Sequence, residues 1–519
     1  MGELKDRGKN EGIQISGSLI ARNALINLIG QALPLLVAVI AMPFVVRGLG
    51  TERFGLLSLA WVVMGYFTIF DLGLGRATTK FVAEALGKGE GNKVPQIIWT
   101  AVTVQAIMGI LGALALFGMT DFLVERVLNI PPALIYEAEV IFHLLAFAIP
   151  VVMLTSSFSG VLEAAQRFSL VNAIRIPSST LTYLLPLVGL YLGMGLPGIV
   201  TLILVARLFS LIALIIIDLR IDPKLREYSS SFELLPRLFC YGGWITVSSI
   251  VSPILVYLDR FLIGSILTMA AVAYYTAPYE AVTRISIIAF SLSMTLFPAI
   301  SALEGAKDRQ KLGSVFARAV KFILLTTGPV VVVIWLFAGE ILQIWLGSDF
   351  FIESTVAMQL LAIGILMNSL AHAPYTLLQG GGRPDLPAKF HLIELPAYIV
   401  LAWVLVTEFG IAGAAGAWAL RVTFDALLLF WAAFRIYGLP MHLLETNGAI
   451  LAGISIMILA IAGFVLKTAS DAFSIYYQSI FIILLLILFA GVVWNCVLDI
   501  TDRNAILKIA NIKNKQETI

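Results

Sequence analysis

Runs of about 20 predominantly apolar residues, the length that carries an α-helix across a ~30 Å hydrocarbon layer, recur from Ala24 towards the C-terminus. Inside lipid no water satisfies backbone amides and carbonyls, so runs of this length fold as helices whose hydrogen bonds close within the segment. The chain reads as an all-α, polytopic membrane protein. Its composition agrees: 60% of the 519 residues are hydrophobic and 13% charged, too little charge to cover a soluble domain. Hydropathy and loop polarity place about fourteen spans, starting near residues 24, 54, 97, 138, 171, 196, 242, 270, 314, 355, 390, 411, 448 and 476. The run Ala24–Val46 is too long for a signal-peptide core and lacks a small-residue cleavage site, so it counts as a span.

Charge sets the topology and narrows the function. With a net charge of +2 there is no basic excess to hold a nucleic acid. The two cysteines, Cys240 and Cys496, give neither a disulfide framework nor a metal-ligand spacing. Of the 34 Lys and Arg residues, 25 fall in the tails and alternate loops, among them Arg76 to Lys93, Arg220 to Arg237 and Lys307 to Lys321. The opposite loops hold only Arg47, Arg53, Arg126 and Lys467. Both termini are therefore expected on the cytoplasmic side of the inner membrane.

The chain also resembles itself. Leu162-Glu163-Ala164-Ala165-Gln166-Arg167 recurs as Leu378-Gln379-Gly380-Gly381-Gly382-Arg383, and Phe54 to Ala60 aligns with Val272 to Pro278 at nearly the same offset of about 216 residues. Six helices per repeat, an even number, give both copies one orientation. The expected architecture is two parallel-repeat six-helix bundles, residues 1–237 with the N-terminal tail and 238–440, followed by two extra helices and a tail in 441–519. Such repeats hold their substrate in a cleft near the midplane.

Several motifs carry a family resemblance. Arg22-Asn23-Ala24-Leu25-Ile26-Asn27, the run Arg47 to Leu56, Asp71-Leu72-Gly73-Leu74-Gly75, Asp259-Arg260-Phe261-Leu262-Ile263-Gly264, Tyr274-Tyr275 and Phe297-Pro298 stand in an order and spacing similar to the oligosaccharide-flippase family. That family lies within the multidrug, oligosaccharidyl-lipid and polysaccharide exporter superfamily. One departure is Ala273, where the first half has Gly55. The resemblance implies a flippase for an undecaprenyl-pyrophosphate-linked oligosaccharide such as O-antigen. Its expected partners are that lipid-linked oligosaccharide, membrane lipids, an H⁺ or Na⁺ coupling ion and other polysaccharide-assembly proteins, with no cofactor. Alternatives are a multidrug/cation antiporter and a peptidoglycan-precursor flippase.

Ionisable residues inside the spans give a separate argument, because each costs several kcal/mol unless it faces protein or a wet cavity. Arg22, Arg207, Arg260, Arg284 and Arg421 are candidates to bind an anionic cargo, since the guanidinium fork fits phosphate oxygens. Asp259, Glu280, Asp425 and His372 are candidates for ion coupling. Glu280/Arg284 and Arg421/Asp425, each four apart, could instead be helix-stabilising pairs. Asp259 and Arg260, adjacent and ~100° apart on a helix, are expected not to neutralise each other directly. Tyr274, Tyr275 and Tyr279 suit sugar stacking or an interfacial belt, and Pro34, Pro43, Pro253, Pro278 and Pro298 are candidate bending points. A membrane glycosyltransferase or polymerase is the rival from another class. The outer loops carry no paired carboxylates or histidine cluster for it, and the chain has no Walker A sequence.

Overall fold

Segments apolar on every side stay helical because the helix is the one local structure that bonds all of its own backbone. The computed structural model describes residues 33–66, 78, 81–82, 85, 91–231, 233, 251–305, 309–470 and 475–504, apart from 35, 165–166, 252, 384 and 441. Among the described residues there is no strand. The principal helices are α1 (Leu36–Leu49), α2 (Thr51–Tyr66), α3 (Val94–Phe122), α4 (Ile135–Ala164), α5 (Phe168–Tyr191), α6 (Leu196–Ile221) and α7 (253–266). They continue with α8 (Met269–Thr283), α9 (Ser286–Gly305), α10 (Arg309–Leu336), α11 (Ala338–Trp345), α12 (Ser348–Gly380), α13 (Asp385–Tyr437), α14 (Ala449–Ala469) and α15 (Ile475–Val492).

Nine helices among the described residues are long and apolar enough to cross a membrane. One of them, α13, is too long for a single crossing at 1.5 Å per residue. It breaks at Gly410, whose φ of 59° and ψ of −137° suit glycine alone. The two arms, 385–409 and 411–437, meet closely: a Cβ on Gly413 would lie 1.8 Å from the Leu405 carbonyl oxygen. Helix starts at Val94, Ile135, Phe168, Leu196, Ala449 and Ile475 fall beside the expected 97, 138, 171, 196, 448 and 476. The eighth expected span is interrupted. Its helix stops at Thr283, turns at Arg284 and Ile285, and resumes as α9.

The described residues fall into two compact units, one within Met1–Leu49, Val63–Asp121 and Tyr136–Thr246, the other within Gly50–Val62, Phe122–Ile135 and Val247–Ile519. Phe158, Leu162, Val171, Leu211 and Leu214 anchor the core of the first. Leu312, Phe316, Ile323, Leu377, Ala426 and Leu429 anchor that of the second. Two early segments are joined to the second unit by close contacts. A Cβ on Gly55 of α2 would lie 1.8 Å from the Met269 carbonyl oxygen at the start of α8. Asn129 donates from its backbone to the Gly264 oxygen (2.8 Å) and from its side chain to the Leu267 oxygen, satisfying carbonyls at the end of α7.

Lys321 corrects one sequence expectation. Counted with the loop charges, it is instead 1% exposed within α10 and paired with Asp502, which is 3% exposed. A buried, paired lysine of this kind fastens the region after α15 to α10 and says little about topology.

Candidate functional site

The site begins with two adjacent residues of α7. Asp259 and Arg260 are 0% and 1% exposed, on a helix whose Leu255 packs with Val251 in one buried cluster with Tyr398, Ala402 and Ala417 of α13. Such charges need partners, and each has several. Asp259 accepts from the Arg260 backbone N–H (2.8 Å) and from the Tyr275 hydroxyl. Arg260 donates to the Val256 carbonyl (2.7 Å), and its guanidinium lies 4.0 Å over the Tyr279 ring. The expectation that the two cannot meet is corrected: Arg260 Nη1 lies 3.4 Å from Asp259 Oδ1, because the arginine stem is long enough to fold back across the helix surface. Tyr275 and Tyr279 are buried at 0% and 5%, so they belong to this cluster and not to an interfacial belt.

Glu280, the residue after Tyr279 on α8, extends the cluster. Its carboxylate spans two arginines, with Oε1 3.4 Å from Arg260 Nη2 and Oε2 2.8 Å from Arg284 Nη2. Arg284 is 45% exposed and stands at the turn where α8 ends. The cluster thus runs from a fully desolvated acid to an arginine that meets the surroundings.

A second polar group lies on the two arms of α13. His391, Glu394 and Tyr398 share one face of the first arm, and Arg421 and Asp425 one face of the second. The ion contact of Arg421 is with Glu394 Oε2 at 3.7 Å, not with Asp425 four residues on as the spacing suggests. Its guanidinium also sits 5.5 Å over the Tyr398 ring. Both Glu394 carboxylate oxygens, Asp425 Oδ1, the Tyr398 hydroxyl and Arg421 Nε have no hydrogen-bond partner among the described residues. Glu394 and Asp425 are neighbours, and the one guanidinium contact of the pair among the described residues, Arg421 to Glu394, leaves it short of positive charge. Ring packing of Tyr279 on Trp418, 5.5 Å between centroids, links this group to the α7/α8 cluster.

His391 and Asp425 also line a cavity of about 350 Å³ with Ser293, Asn368, His372 and Gln379. His372 and Asp425, chosen separately from the sequence, meet there. His391 and Glu394 were missed, although positions 391, 394 and 398 mark one helix face; they lie at the expected start of a span, where charge reads as interfacial.

Arg207 belongs to the first unit. There it lines a cavity of about 180 Å³ with Thr155, Ser159, Arg175, Ser178 and Ser179. The repeat offset of 216 carries Arg175 onto His391, Ser178 onto Glu394, Thr155 onto Ala371 and Ser159 onto Tyr375. The two cavities differ in their charged lining, guanidinium in one, imidazole and carboxylate in the other. Arg22 lies outside the described residues.

Comparison with known proteins follows the same lines. A family model described as polysaccharide biosynthesis protein matches residues 20–304, and one described as MatE matches residues 245–404. A Shigella flexneri protein named "Putative O-antigen transporter" is 32% identical over 417 residues, 80% of this chain and 98% of that protein. A Haloferax volcanii protein named "Probable low-salt glycan biosynthesis flippase Agl15" is 28% identical over 228 residues, 43% of this chain and 48% of its own length. In fold, the chain is similar to the lipid II flippase MurJ in an inward closed conformation, with a TM-score of 0.69 at 14% identity over 91% of this chain and 99% of the other. An inward-facing multidrug resistance MATE family transporter gives a TM-score of 0.69 at 17% identity over 79% and 98%.

Proposed function

The chain belongs to the polysaccharide biosynthesis protein family, and on that premise we propose that it is a flippase carrying an undecaprenyl-pyrophosphate-linked oligosaccharide across the cytoplasmic membrane by alternating access. The observation that carries this reading is the buried arginine-bearing cluster. Arg260 is held ionised at 1% exposure by Asp259, Glu280 and two aromatic rings, a costly arrangement that suits a carrier of anions through an apolar barrier. Arg284, half-exposed at the end of the same cluster, is the arginine placed to exchange Glu280 for a phosphate oxygen. Arg22, Arg207 and Arg421 complete the proposed cationic set.

Coupling is assigned to the acids. Glu394 and Asp425, side by side with one arginine at 3.7 Å from Glu394, would gain most from a proton or Na⁺, and His372 and His391 line the adjoining cavity. Asp259 and Glu280, already engaged by arginines, respond through those pairs. The proposed frame is two parallel-repeat bundles, 1–237 and 238–440, with two further helices in 441–519, and both termini cytoplasmic. The chain itself carries out no catalytic step in this scheme; other polysaccharide-assembly proteins make and use the glycan.

The MatE match and the MATE-like fold favour one rival, a multidrug/cation antiporter. The cavity of the first unit, lined by Arg175 and Arg207 with no carboxylate among its described lining residues, disfavours such a cargo. Expression in cells lacking their own oligosaccharide flippase tests the choice: the chain restores surface glycan and gives no resistance to lipophilic cations. Resistance without glycan export would favour the antiporter.

A further inference from the structure

An apolar groove of about 380 Å³ runs between α5 and α6 beside the Arg207 cavity, lined by Pro177, Leu181, Leu185, Val205, Ala206 and Phe209. Ile174 and Ser210 line both spaces, so groove and cavity adjoin. Phe209 is 67% exposed, which in a helix of this hydropathy means contact with lipid. The two helices touch at their connected ends, where a Cβ on Gly189 would meet Ile199 Cγ1 at 2.6 Å. Pro177, which removes a backbone hydrogen bond from α5, lies in the wall of the groove.

Chemistry changes along this path from hydrocarbon to hydroxyl to guanidinium. In the cavity, Thr155, Thr182 and Ser210 donate to carbonyls of their own helices and present lone pairs. The hydroxyls of Ser159, Ser178 and Ser179 have no hydrogen-bond partner among the described residues and remain available as donors. Arg175 pairs with Glu163 at 2.7 Å, and Arg207 lines the same cavity. The cavity in the second unit is lined by His372, His391 and Asp425 and by no arginine among the described residues, so an arginine lining is particular to the cavity of the first unit.

We infer that this groove and the adjoining cavity form a binding site for a lipid phosphate, with the hydrocarbon chain in the α5/α6 groove and the phosphate oxygens on Arg207, Arg175, Ser178 and Ser179. The inference rests on the flippase reading and assigns the lipid end of the cargo to a place in the first unit. A prenyl diphosphate fits because its head is anionic and its chain single and slender. Arg207 lies about 16 Å along α6 from Leu196 at 1.5 Å per residue, a depth that an attached chain reaches from the lipid side.

The test is binding of labelled farnesyl diphosphate to the full chain in detergent, with inorganic pyrophosphate and farnesol as separate ligands. The site predicts saturable binding of farnesyl diphosphate and about tenfold or weaker binding of either part alone, since each makes only part of the contacts. Arg207→Gln is expected to weaken farnesyl diphosphate about tenfold and Arg207→Lys less, as for a lost charge-assisted bond. Ala206→Phe, filling the groove, weakens farnesyl diphosphate and leaves pyrophosphate unchanged. Glu163→Gln strengthens both anions. Should Arg207→Gln fail to accumulate, Ser178→Ala with Ser179→Ala carries the same prediction. Pyrophosphate binding as tight as farnesyl diphosphate and indifferent to Ala206→Phe would mean a soluble-anion site and overturn the inference, as would unchanged binding in the Arg207 and double-serine variants. Glycan-lipid flipping by the same variants in vesicles separates the two claims. Binding without any flipping by the unaltered chain sinks the flippase reading alone, and flipping that survives loss of binding sinks this site alone.

Discussion

Asp259 and Arg284 sit at the two ends of one charge cluster, and their exposure predicts different fates on mutation. Asp259 is fully buried against Arg260 and Tyr275, so Asp259→Asn removes one of the two carboxylates that hold the buried Arg260 guanidinium and is expected to destabilise by about 3 kcal/mol. Arg284 is 45% exposed, and Arg284→Gln should cost under about 1 kcal/mol because solvent or headgroups screen the pair it leaves. Thermal unfolding of the detergent-solubilised variants measures both, and equal losses would show that the cluster is not graded by burial. Glu280 needs a more careful reading than its spacing gave. Since it touches Arg260 as well as Arg284, Glu280→Gln with Arg284→Gln leaves Arg260 on Asp259 alone; we expect protein to accumulate and transport to be lost. Full transport by that double variant would reduce Glu280 and Arg284 to architecture.

Helix contacts decide where small residues are obligatory. Gly55→Ala would push a methyl into the Met269 carbonyl, a backbone atom that cannot swing aside, and is expected to cost about 1–3 kcal/mol or more. Gly416→Ala meets only Leu360 Cδ1 at 3.8 Å and should be neutral or slightly stabilising, since alanine is the better helix former. Melting temperatures of the two variants check the contrast; a tolerated Gly55→Ala would contradict the close approach of α2 and α8. This also clarifies Ala273. It is wholly buried in α8, so the fold accommodates a methyl group at the position that the sequence aligns with Gly55. The helices themselves were legible in the sequence because length and apolarity suffice to define them. The pairing of charges was not, because spacing along one helix sees only its own turns: Arg421 finds Glu394 across the α13 break, and Lys321 finds Asp502 from far along the chain. The Arg284 turn was equally hidden, since no proline or glycine at that position marks it.

For the molecule as a whole, the Lys and Arg distribution predicts opposite faces for the turn after α6 and the start of α12. In a chain lacking Cys240 and Cys496, Lys224→Cys is expected to label from the cytoplasm and Asp349→Cys from outside; both native residues are exposed. Labelling of both from one side would overturn the topology, and with it the direction assigned to transport. The proposed flippase role makes one central claim, movement of an anionic lipid-linked glycan, and one measurement addresses it directly. Purified protein is placed in proteoliposomes carrying a fluorescent undecaprenyl-pyrophosphate oligosaccharide, and exposure of the lipid at the opposite leaflet is followed with and without an imposed pH or Na⁺ gradient. The account predicts transfer that responds to the gradient, is abolished by Arg260→Ala in protein that remains folded, and is absent from empty vesicles. Transfer at the empty-vesicle rate by the unaltered chain, or full transfer by folded Arg260→Ala, would contradict it.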